Sequence, residues 1–118
     1  MLKQKDLKLR IDKIFQAAGI EKAEGKFHRF QSTISQFPLG VFIIVESDHY
    51  HISIPSWQDH RDNIYKVKDV KEVLNHIAKD AAPQIAFEWQ EKAGADRKAF
   101  ELKLSEVLTL MEKAIESA

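Results

Sequence analysis

The residues best suited to chemistry are three histidines and the acids around them. His49 and His51 flank Tyr50, and the pair Asp59-His60 lies downstream. On a strand, side chains two apart point the same way, so His49 and His51 suit a shared metal. His60 or Asp59 supplies a third ligand. That set describes a small metal-dependent hydrolase. The alternative is a surface pair near a turn with no metal. A metal site also needs geometry and supporting hydrogen bonds, which the spacing alone does not provide. Asp59 and Asp62 are available as an acid–base pair, but nothing places them in a cleft. Nucleophilic catalysis has no motif. The chain has no cysteine, no GxSxG elbow, and only four glycines, none in a phosphate-binding loop. The expectation is a protein that is not an enzyme and uses no cofactor.

The same residues read more readily as a binding surface. The 118 residues hold 18 bases and 18 acids, which argues against a nucleic-acid binder. The charge is uneven. Residues 30–65 carry one base, Arg61, against Glu46, Asp48, Asp59 and Asp62. Residues 1–29 carry eight bases and four acids. An acid-leaning segment steers a basic protein partner. The expected partner-binding residues are Glu46, Asp48, His49, His51, Trp57, Asp59, His60, Arg61 and Asp62. Trp57 is the expected anchor, since Trp and Arg are common hot spots. The basic first segment and the aromatics Phe27 and Phe30 are better explained as a solvated helix face and core side chains.

The elements that must position these residues follow from periodicity. Leu7, Ile11, Ile14, Phe15 and Ala18 form one helical stripe, which predicts a helix over about 4–18. Gly19 stops it, with Ile20 folding back as the apolar contact of the cap. The period then changes to two. Residues 26–34 are a weak first strand, and Gln36 to Gly40 supply a turn. VFIIVE and HYHISI flank Ser47-Asp48 as a hairpin. If Glu46 faces His49, then Val41, Ile43, Val45, Tyr50, Ile52 and Ile54 share an apolar face. Phe42, Ile44, Glu46, His49, His51 and Ser53 share a mixed one. Residues 64–67 add a short strand.

Asp69 then caps a helix with Val70, Val73, Leu74, Ile77 and Ala78 on its buried stripe. A second helical stretch opens near Pro83, which is tolerated in a first turn, and carries Ile85, Ala86 and Trp89. A last helix covers about 96–117, with Phe100, Leu104, Val107, Leu108, Met111 and Ile115 facing inward. Leu102 and Leu110 fall off that stripe. With Phe42 and Ile44, they suggest a homo-oligomeric module as another reading. The architecture is therefore one α+β domain over residues 1–118. It has an N-terminal helix, a three- or four-stranded antiparallel β-meander, and two or three C-terminal helices on one sheet face. The longest apolar run, Val41 to Val45, is too short to span a membrane. The first residues lack the apolar stretch of a signal peptide. Together with the missing cysteines, this suggests a cytoplasmic protein.

The second half resembles a known family. HYHISI, the polar loop, IYKVKDVKEVLNHIAK, and then AFEWQEKAGADRKAFELKLSEVL are similar to the family named immunity protein 63, over roughly residues 49–112. Phe87-Glu88 and the run Asp96-Arg97-Lys98 with Phe100 carry the likeness. The resemblance implies a cytoplasmic bacterial protein from a polymorphic-toxin or contact-dependent inhibition system. Such a protein binds and blocks a cognate toxin domain without catalysis. Glu88 and Arg97, on either side of Gly94, carry opposite charges that can pin two helices together, and Asp96, Arg97 and Phe100 read as architecture first and interface second.

Overall fold

The structure is a computed structural model that describes residues 2–31, 41–55 and 62–117, with Pro55 and Asp62 described by their backbone alone. Its order is α1 (Gln4–Ala17), β1 (His28–Phe30), β2 (Val41–Val45), β3 (Tyr50–Pro55), β4 (Asp62–Val67), α2 (Val70–Ala93) and α3 (Arg97–Glu116). This is the expected α+β class. The four strands form one sheet in the order β1-β2-β3-β4.

Each helix begins or ends where side-chain chemistry requires it. Ile20 N–H donates to the Phe15 carbonyl at 2.9 Å while Gly19, at φ 82°, makes the left-handed turn. Ile20 packs against the core as expected. Asp69 accepts from Lys71 N–H at 2.8 Å, and Asp96 accepts from Ala99 N–H at 2.8 Å. Gly94, at φ 63°, closes α2.

β2 and β3 pair as the alternation predicts: Ile43 lies opposite Ile52, Ile44 opposite His51 and Val45 opposite Tyr50. Glu46 N–H donates to the His49 carbonyl at 2.9 Å and closes the turn. One face meets the helices. Val41, Ile43, Tyr50 and Ile52 join Leu7, Ile11, Ile14 and Phe15 of α1, Val73, Leu74 and Ile77 of α2, and Val107, Met111 and Ile115 of α3 in a single core. Burying this apolar area is the main force holding sheet to helices. The Tyr50 hydroxyl sits at the edge of that core. It accepts from Leu2 N–H at 2.8 Å and lies 3.3 Å from the Leu2 carbonyl, anchoring the start of α1 to β3.

Three features depart from expectation. β1 runs parallel to β2, with His28 opposite Val41 and Phe30 opposite Ile43, so only β2-β3-β4 is an antiparallel meander. The turn expected at Gln36 to Gly40 lies outside the described residues. The helical stretch near Pro83 is not separate. α2 runs unbroken from Val70 to Ala93 with Pro83 inside it, so the chain has two C-terminal helices. The second sheet face is also buried: Phe42 is 1%, Ile44 5%, His51 7% and Ser53 1% exposed.

Candidate functional site

Among the described residues, Glu46, Asp48 and His49 lie at one end of the sheet and Asp62 at the other. Glu46, Asp48 and His49 occupy the β2–β3 turn. Pro55 and Asp62, which bound the segment holding Trp57, Asp59, His60 and Arg61, pair with each other at the far end of β3 and β4. At about 3.3 Å per residue, that end is roughly 17 Å from Tyr50 along the strand. Trp57, Asp59, His60, Arg61 and the side chain of Asp62 lie outside the described residues.

At the turn, Asp48 Oδ1 lies 2.7 Å from His49 Nδ1. The hydrogen bond and charge of His49 hold the Asp48 carboxyl below its ordinary value, with Lys68 adding to the effect. An acid that stays ionised and an imidazole thus stand side by side on the surface, with exposed Glu46 beside them. When Nδ1 donates to Asp48 in the neutral ring, Nε2 is left as an acceptor.

His51 does not share this surface. It is buried, stacks on Phe42 with ring centroids 6.1 Å apart, and its Nε2 has no hydrogen-bond partner among the described residues. Placing it on a partner-binding surface therefore has to be corrected, because its strand is covered on both faces. Among the described residues no three His, Asp or Glu side chains converge as metal ligands. Phe42 and Ile44, expected as a self-association surface, are buried too, whereas Leu102 at 66% and Leu110 at 38% are exposed.

Two features went unread in the sequence. The first is β4. Among the described residues it pairs only with β3, so one side of its backbone is a free sheet edge. Ile64 is 56% and Tyr65 38% exposed along it. Tyr65 lies against His76 of α2, with ring centroids 4.3 Å apart. Partial burial, and then Lys79, hold His76 below its ordinary pKa. Exposed apolar side chains on a free edge are a recognition feature, since edges are ordinarily shielded. The second is a groove of about 230 Å³ where α1, α2 and α3 meet, lined by Ala18, Ile20, Ile85, Glu88, Trp89, Lys92 and Lys103. The sequence signal for it was Ile85, Glu88, Trp89 and Lys92 at helical spacing, which also describes an ordinary core stripe.

No family model matches this chain, and no curated protein or solved structure shows a significant match. Among the described residues, no helix is long and apolar enough to cross a membrane.

Proposed function

We propose that this protein is a non-catalytic binder that neutralises a cognate bacterial toxin domain by covering it. One observation carries the reading: the β4 edge, unpaired among the described residues, exposes Ile64 and Tyr65. A partner strand added to that edge gains main-chain hydrogen bonds, with Ile64 and Tyr65 as apolar contacts. The acidic β2–β3 turn, with Asp48 held ionised, adds a surface suited to a basic partner. The residue-level resemblance to immunity protein 63 supports the same class, and a cytoplasmic location goes with it.

Co-expression with a toxin encoded beside this gene tests the reading. The expected result is rescued growth and a stable complex. Tyr65→Lys combined with Ile64→Lys should abolish rescue while the free protein keeps its helical signal. Unchanged rescue by that variant would move the interface away from β4. Absence of a complex with any neighbouring product would end the toxin reading.

A further inference from the structure

We propose that the groove between the end of α1, the last turns of α2 and the start of α3 is a binding site for a small apolar monocarboxylate, such as an arylalkanoic acid. The site is separate from the toxin-facing surface. Glu88 lies about 18 Å along α2 from His76, against which Tyr65 of the β4 edge packs.

The floor and walls are apolar. Ile20 is folded into place by the cap that ends α1, Ile85 belongs to the core, and Ala18, packed against that core, adds a small apolar lining. Trp89 lines the groove half-buried instead of filling it. The volume of about 230 Å³ is below the roughly 300–1,000 Å³ of drug-sized sites, so it suits one ring or a short acyl chain.

The charges at the groove select an anion. Glu88 is already engaged by Lys26, with Nζ 2.9 Å from Oε2. Lys103 Nζ lies 5.4 Å from the centre of the Trp89 ring and only 3.5 Å from Glu106 Oε1, at the limit of a hydrogen bond. Lys92 has no ion-pair partner among the described residues. Two ammonium groups therefore border an apolar cleft whose single lining carboxylate is occupied. A ligand that puts a ring against Trp89 and a carboxylate between Lys92 and Lys103 satisfies both parts. The competing role for Lys92 is to offset the negative end of the α2 dipole.

Calorimetric titration with 4-phenylbutyrate and with its neutral amide, 4-phenylbutyramide, decides the matter. The acid should bind saturably, at least about five-fold tighter than the amide, as expected for a charge-assisted contact. The double variant Lys92→Gln, Lys103→Gln, at one exposed and one partly buried position, should remove that difference. In proton–nitrogen spectra the Trp89 indole resonance should move while that of Trp57, identified with Trp57→Phe, stays still. No saturable binding, equal affinity for acid and amide, undiminished preference in the double variant, or a response at Trp57 alone would each overturn the assignment.

Discussion

Glu88 pairs with Lys26 instead of Arg97, its Oε2 lying 2.9 Å from the lysine Nζ. The pair therefore joins α2 to the turn before β1. Arg97 points outward and meets Glu101 one turn along its own helix at 3.6 Å, with 91% of its side chain exposed. Both pairs are in contact with solvent, so their contributions are small. Glu88→Gln should cost no more than about 1 kcal/mol in urea denaturation. Arg97→Gln should cost less, at most about 0.5 kcal/mol. A larger loss at Arg97 than at Glu88 would contradict this arrangement.

The Tyr50 hydroxyl binds both backbone groups of Leu2. Tyr50→Phe keeps the ring in the core and leaves those groups to water. The expected cost is about 0.5–1.5 kcal/mol, measured by urea denaturation. Hydrogen exchange at the start of α1 should quicken while exchange in α3 stays unchanged. Uniform quickening would show that the hydroxyl supports the whole core and not this one junction.

Pro83 lies inside α2, where it cannot donate the bond that the Lys79 carbonyl would otherwise accept. It is exposed, so nothing in the core depends on its ring. Pro83→Ala restores the donor, although it loosens the unfolded chain by about 0.4–1 kcal/mol. The interior penalty of about 3 kcal/mol is the larger effect, so the variant should be more stable by roughly 2–2.6 kcal/mol. An unchanged or lowered melting temperature would mean that the helix has adapted to the proline.

These residues also mark what the sequence could reveal. The β2–β3 register was readable because alternation and a two-residue turn admit one pairing, and the α1 stripe was readable because its period is regular. Pro83 misled because a proline signals a helix start as readily as it interrupts one. The parallel β1 was hidden: three residues, His28 to Phe30, carry no sign of direction. The burial of His51 was legible after all. VFIIV is apolar at every position, the pattern of a strand covered on both faces, and His51 sits opposite Ile44 within that pair. The Glu88–Lys26 contact spans 62 positions along the chain, so no local spacing announced it.

Asp80 is half-buried in α2, and burial pushes its carboxyl above the ordinary value. In the window just above pH 3.8 the native state holds the proton better than the unfolded chain does. Stability from this group is therefore full below 3.8 and falls as pH rises through the native pKa. Asp80→Asn keeps the shape and removes the cost of a buried charge. Its melting temperature should exceed wild type at pH 7, and the difference should vanish near pH 3. A gain of equal size at both values would point to a cause other than ionisation.

His28 gives the opposite slope. It is 1% exposed, stacked on Phe15 with centroids 5.4 Å apart and set edge-on to Phe30 at 6.0 Å. Its Nδ1 has no hydrogen-bond partner among the described residues. Burial lowers its pKa, outweighing the opposing pull of Glu24 and Asp12. Above pH 6.5 the ring is neutral in both states and contributes no pH dependence. Below that value the unfolded chain takes up a proton that the native core resists, so stability falls with falling pH until the native pKa is reached. The slope from this one group is at most about 1.4 kcal/mol per pH unit. His76, also lowered, acts in the same direction, so wild type alone does not isolate His28. His28→Phe does, because a phenyl ring suits the aromatic stack and removes the unsatisfied nitrogen. Urea denaturation of both proteins from pH 7.5 to 5 should show a shallower loss in the variant and equal or greater stability at pH 7.5. Parallel profiles would mean that His28 becomes protonated in the native core as easily as in water.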